Sequence, residues 1–252
     1  MYMRVLHLTI DPLKSRAFEA FYDKNIVPAL QKVHGCLSIT LVRSAQHNDE
    51  FLSVTLWDEQ EDAEAFNQSE LFQKLLGEVK QYFLDSSEWK IKLSEDYTLD
   101  LETVEKEPIV NFYPIVAQSD LGTLPVKKSQ SMFMRIVSVK ILPDKMDEIR
   151  QLYKNDVIPA LKNTKGCRYA YLSESMKEDH EIFSVTIWDS RQDAESYEKS
   201  PLLEEFTERA KHAFSALSQW KMILDTNYDE KTAKSKAVDV NYYNIVSESS
   251  FR

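Results

Sequence analysis

SVTLWDEQEDAEAFNQSELFQ, at residues 53–73, occurs a second time in the chain as SVTIWDSRQDAESYEKSPLLEE, at residues 184–205. The two stretches align without a gap, and they share Trp-Asp, Asp-Ala-Glu and a serine ahead of the second apolar run. Self-similarity at a fixed shift is the signature of an internal repeat. The sequence therefore predicts two copies of one fold in a single chain.

The repeat extends from these stretches in both directions. Residues 3–93 pair with 134–224 without a gap, and about a third of the pairs are identical. After one deletion, VNFYPIV at 110–116 matches VNYYNIV at 240–246.

A linker separates the two copies. SDLGTLPVKKSQS, at 119–131, has the Gly, Pro and Ser that are typical of linkers. We therefore expect one domain at 1–118 and a second at 132–252.

Each repeat begins with a strand and a helix. Met3–Ile10 alternates apolar side chains as a strand does, and apolar residues at helical spacing follow Asp11. Pro28 and its copy Pro159 lie inside this helical pattern, where the missing N–H should kink or break the helix. Gly35 and the matching glycine of the second repeat are suited to end it.

A hairpin, a second helix and a last strand complete the repeat. Strands at about 36–43 and 51–57 flank a polar turn, and Ser69 is a suitable N-cap for the second helix. We expect the fourth strand at Trp89–Leu93, with its copy at Trp220–Leu224. The order β-α-β-β-α-β is that of a ferredoxin-like α+β fold.

The strands of both sheets are apolar on both faces, which predicts a cover on the side away from the helices. The second copy is the natural cover, so we expect the two ferredoxin-like repeats to pack sheet against sheet as an intramolecular dimeric α/β barrel. The tails that end in VNFYPIV and VNYYNIV can cross and add a strand to the other repeat's sheet. One chain then holds an internal pseudo-dimer, and its further self-association stays open.

Composition excludes several classes of partner. The 252 residues carry 31 Lys and Arg against 41 Asp and Glu, a net charge of −10, which argues against a nucleic acid partner. Four glycines cannot build a phosphate-binding loop, and no His or Cys cluster has metal-ligand spacing. We expect no cofactor and no metal.

The cysteines and the apolar runs bear on the location of the protein. Cys36 and Cys167 are far apart, so we expect free thiols, buried as small apolar residues in a reducing compartment. The apolar N-terminal stretch contains Arg4 and His7, and no apolar run is long enough to span a membrane. We expect a cytoplasmic protein with no membrane partner.

The Trp-then-helix stretch at 53–73 and the preceding NIVPALQKVHGC at 25–36, with their second copies, resemble segments of the antibiotic biosynthesis monooxygenase superfamily. The resemblance covers nearly all of both repeats and implies a dimeric α/β barrel. It consists of hydrophobic residues, Trp, Pro and Gly, so it specifies the fold better than the chemistry. Members of the superfamily include cofactor-independent oxygenases of aromatic polyketides, quinol oxygenases, haem-degrading enzymes and proteins with no established activity.

The resemblance also implies where a haem-degrading member would hold its haem. The Trp of that branch falls on Phe66 and Tyr197, and its iron-ligating His falls on Leu76 and Thr207. No Asn occurs at the matching place on the first strand of either repeat. Haem binding is therefore the least favoured alternative.

A cofactor-free oxygenase needs a base that deprotonates an electron-rich substrate. His7 is the candidate catalytic base, because a histidine in an apolar strand can take a phenolic proton after modest tuning of its pKa. Its counterpart is Ser138, so only the first repeat could use it. The alternative is a hydrogen-bonded histidine at the edge of the sheet.

Matched aromatic residues are the candidate substrate-binding groups. We expect a pocket between sheet and helices in either repeat, lined by Tyr22, Trp57 and Phe66 or by Tyr153, Trp188 and Tyr197. Core packing of the same residues is the alternative, and identity of the tryptophans in both copies favours it.

Two functions remain open on the sequence alone. The first is a cofactor-independent monooxygenase or related small-molecule enzyme that acts on an aromatic or quinone-like compound. The second is a non-catalytic ligand-binding or structural module of the same fold. An open cavity that contains His7 would favour the first, and a filled interior would favour the second.

Overall fold

The structure is a computed structural model of the chain, and it describes residues 1–84, 89–93, 99–103, 109–118, 132–175, 180–215 and 238–251. Within these ranges the strands are β1 (Tyr2–Thr9), β2 (Cys36–Ser44), β3 (Glu50–Trp57), β4 (Trp89–Leu93), β5 (Leu99–Thr103), β6 (Ile109–Gln118), β7 (Phe133–Lys140), β8 (Cys167–Glu174), β9 (Glu181–Trp188) and β10 (Val238–Ser250). The helices there are α1 (Ser15–Phe21), α2 (Val27–Leu30), α3 (Gln60–Gln68), α4 (Glu70–Val79), α5 (Met146–Leu152), α6 (Ile158–Lys162), α7 (Arg191–Glu198) and α8 (Pro201–Ala210).

One closed antiparallel barrel contains most of these strands, in the order β1-β3-β2-β10-β7-β9-β8-β6. The last strand of each repeat joins the two halves: β6 pairs with β1 of its own repeat and with β8 of the other. In the same way β10 pairs with β7 and with β2. This crossing confirms the expected intramolecular dimeric α/β barrel of two ferredoxin-like repeats.

The fourth strand of the first sheet lies elsewhere than the sequence suggests. β4, at Trp89–Leu93, pairs with β5 in a separate two-stranded sheet, and β6 takes the place beside β1. The sequence WKIKL alternates lysine with apolar residues and so offers one apolar face, whereas a barrel strand is covered on both faces. The copy at Trp220–Leu224 and the predicted linker at 119–131 lie outside the described residues, and the domain boundaries stay predictions.

The first helix of each repeat widens ahead of its proline. α1 continues through a π-helical segment, Tyr22–Ile26, into α2, and the Val27 N–H donates to the Tyr22 carbonyl five residues back. Pro28 has no N–H to donate, and the wider turn accommodates that missing bond. The second repeat has the same arrangement at Tyr153–Val157. The predicted break at the proline is therefore a change of helical pitch.

The predicted glycine stop of the first helix is wrong, whereas the predicted cap of the second helix agrees with the structure. α2 ends at Leu30 and α6 at Lys162, and Gly35 and Gly166, with φ values of 74° and 79°, lie in the turns directly before β2 and β8. The Ser69 hydroxyl accepts a hydrogen bond from the Phe72 N–H at 3.1 Å, as an N-cap does.

Buried apolar residues form three clusters. One lies between helices and sheet in the first repeat, and a second has the same place in the second repeat. The third contains residues of both repeats, among them Val5, Val54, Val185 and Tyr243. This shared cluster lies between the two halves, on the side of each sheet away from its helices.

Neither cysteine forms a disulfide, and the expected burial holds for one of the two. Cys36 is buried, whereas Cys167 is half-buried. Burial raises the pKa of each thiol to about 12. Within the described ranges no helix combines the length and the apolar character needed to cross a bilayer.

Candidate functional site

A tyrosine and a buried serine meet under the first helix of each repeat; Tyr22 is buried and Tyr153 is half-buried. The Tyr22 Oη and Ser53 Oγ are 2.6 Å apart, and either oxygen can donate. Tyr153 is bonded to Ser184 in the same way. Burial raises the pKa of both tyrosines, so each hydroxyl stays protonated at neutral pH. The π-helical segments position these tyrosines, because Tyr22 and Tyr153 are their first residues.

The two tryptophans of β3 and β9 form the wall behind this pair. Trp57 Nε1 donates to Thr55 Oγ1 at 2.8 Å, and Trp188 Nε1 donates to Thr186 Oγ1 at 2.9 Å. Trp57 stacks on Phe66 and Trp188 stacks on Tyr197, with ring centroids 5.3 and 5.1 Å apart. Both tryptophans are fully buried, and neither lines a cavity that the structure shows.

A buried arginine on the first strand of each repeat has a different partner in each copy. Arg135 Nε donates to Glu198 Oε1 at 2.7 Å in an ion pair. Asn67 replaces that glutamate in the first repeat, and Arg4 Nη2 donates to Asn67 Oδ1 at 3.0 Å. The second repeat therefore neutralises its arginine, whereas the first leaves the charge of Arg4 without a carboxylate among the described residues.

Each repeat has a cavity between its helices and its sheet, and the two cavities differ in size. The cavity of the second repeat measures about 180 Å³ and that of the first about 40 Å³. The polar residues that line the larger cavity are Arg135, Tyr153, Ser184, Thr186, Tyr197 and Thr207. The remaining lining is apolar, so the larger cavity resembles a binding pocket for a small, mostly apolar ligand.

Smaller side chains at three matched positions favour the larger cavity, although Phe206 of the second repeat is larger than the matching Leu75. Where the first repeat has Phe72, Leu76 and Val79 on α4, the second has Leu203, Thr207 and Ala210 on α8, and all six residues line their cavities. Each replacement removes carbon atoms from the side chain. The second repeat therefore holds an open pocket where the first is nearly filled.

His7 does not lie in either cavity. Arg4, Leu6 and Leu8 of β1 line the small cavity, and successive side chains of a strand point to opposite faces. His7 is exposed and lies on the other face of β1, so the predicted grouping of His7 with Tyr22 and Phe66 is wrong. The alternation of the strand, visible in the sequence, could have separated them.

Four of the six aromatic candidates line a cavity, and the two tryptophans do not. Tyr22 and Phe66 line the small cavity, and Tyr153 and Tyr197 line the large one. Trp57 and Trp188 support the walls from behind. Sequence reasoning missed the arginines and their partners, although a matched Arg inside two apolar strands, MRVLHLTI and MRIVSVKI, was a readable signal.

The positions where the resemblance implies a haem ligand face the cavities. Leu76 lines the small cavity and Thr207 the large one, and neither side chain carries the imidazole that would bind the iron. Among the described residues, no three His, Cys, Asp or Glu side chains gather as a metal site.

The chain matches a known family and known structures. The family model for antibiotic biosynthesis monooxygenase matches it twice, at residues 1–77 and 132–209. No curated protein sequence matches it significantly. A presumed monooxygenase from Lactobacillus acidophilus NCFM superposes with a TM-score of 0.68 at 10% identity, over 99% of this chain and 96% of that one.

Two further solved structures have the same fold. A presumed monooxygenase from Fusobacterium nucleatum superposes with a TM-score of 0.68 at 8% identity, over 99% of this chain and 94% of that one. An anthrone oxidase-like protein superposes with a TM-score of 0.58 at 14% identity, over 99% and 93%. At these identities the likeness is one of fold. Because the family model covers both repeats and more than half of the residues, the chain belongs to the antibiotic biosynthesis monooxygenase family.

Proposed function

We propose that the chain is a cofactor-independent monooxygenase whose active site is the second-repeat cavity and whose substrate is a single-ring hydroquinone or related phenol. The observation that carries the proposal is the open cavity of about 180 Å³ with Arg135 in its wall; Glu198 is paired with Arg135 and lies behind this lining residue. A cavity of about 150 Å³ in another protein takes up benzene. The space therefore suits one substituted ring better than the three fused rings of an anthrone.

The lining supports binding of the ring and of its hydroxyl groups. Apolar side chains from α5, α8 and the sheet, such as Ile149, Phe206 and Ile182, surround the space. Tyr153 and Tyr197 also line it, and burial raises the pKa of both hydroxyls, so they remain neutral hydrogen-bonding groups. These groups would orient a hydroquinone without competing for its proton.

Arg135 and Glu198 would activate the substrate. Reaction with oxygen requires a phenolate, which is far more electron-rich than the phenol. If a substrate hydroxyl gives its proton to Glu198, the positive charge of Arg135 passes from the carboxylate to the new phenolate. The group formed by Arg135, Glu198 and the substrate then carries one positive and one negative charge before and after the transfer, so no uncompensated charge is buried.

The substrate itself can supply all the electrons. A hydroquinone and O₂ give a hydroxyquinone and one water: one oxygen atom enters the ring and the other leaves as water. Four electrons leave the substrate, two as the quinone forms and two as the ring carbon is hydroxylated. The protein contributes binding, deprotonation and exclusion of water.

The proposal predicts oxygen uptake that depends on Glu198. Metal-free protein should consume oxygen with methylhydroquinone, and Glu198→Gln should lower kcat/KM by roughly 100-fold, the usual contribution of a general base. Glutamine retains a hydrogen-bond acceptor for Arg135 but cannot take the proton. The measurement is oxygen uptake with an electrode, with anthrone as a larger substrate that should give none.

His7→Ala is the matched control. Because His7 is exposed and lines neither cavity, its removal should change oxygen uptake by less than about twofold. Uptake that depends on His7 and not on Glu198 would overturn the assignment of the active site. Binding of methylhydroquinone without any oxygen uptake would favour the ligand-binding module.

A further inference from the structure

The first repeat contains a buried positive charge that no carboxylate among the described residues compensates. Arg4 is 2% exposed, and its Nε has no hydrogen-bond partner among the described residues. Its guanidinium lies over the rings of Phe72 and Phe66, 4.7 and 5.4 Å from their centroids. These rings shield Arg4 from water and give a weaker attraction than an anion would.

The second repeat shows the partner that the matching arginine has there. Arg135 occupies the matching position and is paired with the carboxylate of Glu198. Asn67 stands at the glutamate position in the first repeat and offers a neutral amide oxygen. A guanidinium stays charged at neutral pH, and the pKa of Arg4, which burial lowers to about 10, does not change this. The first repeat therefore lacks the carboxylate that the second repeat provides for its matching arginine.

The cavity beside Arg4 provides space and a second donor. It measures about 40 Å³, and about 10–15 Å³ is enough for one water molecule, so it holds a group of three or four atoms. Tyr22 and Ser53 both line it. Their two O–H groups share one mutual hydrogen bond, which uses one hydrogen and leaves the other to donate.

We propose that the first-repeat cavity is an anion site in which Arg4, with the Tyr22–Ser53 hydroxyl pair, binds a small monovalent oxyanion of the size of formate or nitrate. The planar guanidinium matches such an anion in shape and in hydrogen-bonding direction. The site is independent of the proposed oxygenase activity, because that activity is assigned to the other repeat.

The test measures binding and unfolding of the full chain. At constant ionic strength, formate replaces gluconate, an anion too large for the cavity. Saturating formate should raise the Tm of the wild-type protein by roughly 5–10 °C, and calorimetric titration should give one site per chain. Benzoate, which carries the same carboxylate on a ring, should leave the Tm unchanged.

Asn67→Glu is the matched variant, since it gives the first repeat the partner that Arg135 has. The internal carboxylate should occupy the guanidinium and reduce the formate-induced shift to under about 1 °C. Asn67→Asp tests the same point with a smaller side chain if the first variant does not fold.

Three results would overturn the proposal. The first is a wild-type Tm that is the same in formate and gluconate. The second is a formate-induced shift that persists in a folded Asn67→Glu or Asn67→Asp variant. The third is an equal shift with benzoate, which would contradict the assignment to a small anion.

Discussion

Oxygen uptake should fall to background when the second-repeat cavity is given the side chains of the first. The variant combines Leu203→Phe, Thr207→Leu and Ala210→Val, which copy the residues at the matched positions of α4. The first repeat packs these larger side chains and leaves only about 40 Å³, and the second repeat has in addition Phe206 where the first has Leu75, so the variant should be filled at least as fully. A single-ring substrate would lose its apolar contacts, about 4 kcal/mol of binding, so kcat/KM should drop by at least about 1,000-fold.

The control is a single substitution on the same helix, α8, at a residue outside the cavity. Glu204→Leu lies on the exposed side of α8 and should leave oxygen uptake within about twofold of the wild type. Circular dichroism and the Tm establish that the triple variant is folded. A folded triple variant that keeps more than a tenth of the wild-type kcat/KM would contradict the location of the active site.

Gly166→Ala should destabilise the protein by about 2–4 kcal/mol, through its backbone conformation and through a clash. The φ of Gly166 is 79°, where alanine is strained by about 1–2 kcal/mol. A Cβ at this position would lie 2.5 Å from the Cβ of Asp193. Asp193 cannot easily move, because its carboxylate accepts a hydrogen bond from Ser190 at 2.5 Å. The Gly166 carbonyl, which accepts from the Asp189 N–H at 2.7 Å, would be displaced.

Urea unfolding measures the free energy of unfolding of this variant and of its controls. Gly77→Ala should stabilise the protein by about 0.5–1 kcal/mol, because Gly77 is exposed within α4 and an added Cβ meets nothing within 4 Å. Asp193→Ala in the Gly166→Ala background should recover part of the loss by removing the clash. Equal stability of Gly166→Ala and Gly77→Ala would contradict a role for the left-handed conformation and the close contact.

The architecture could be predicted from the sequence because it depends on repetition and on apolar pattern. The constant shift between the copies gave two domains of one fold, and strands that are apolar on both faces required a second sheet as cover. The crossing of VNFYPIV and VNYYNIV between the halves follows from the same need and is confirmed by β6 and β10. The fourth strand was misplaced, because Trp89–Leu93 also has the pattern of a strand, and pairing partners are not visible in one sequence.

The candidate site could be predicted only in part. Tyr153 and Tyr197 line the larger cavity as expected, since the apolar stripe of a helix faces the sheet. The exchange of Glu198 for Asn67 and the shrinking of three side chains on α8 were both visible in the aligned repeats. Their effect on charge and volume depends on which residues face each other across the layer, and this requires the three-dimensional arrangement.

Calorimetric titration of the wild-type protein with methylhydroquinone, without oxygen, tests most directly whether one open cavity per chain is the ligand site. Of the two cavities between helices and sheet that the described residues form, the second-repeat cavity has space for the ring, so one molecule should bind per 252-residue chain, and the triple variant should bind none. Two molecules per chain would show that both repeats bind. Binding of none to the wild type, or of one to the triple variant, would contradict the second-repeat cavity as the ligand site.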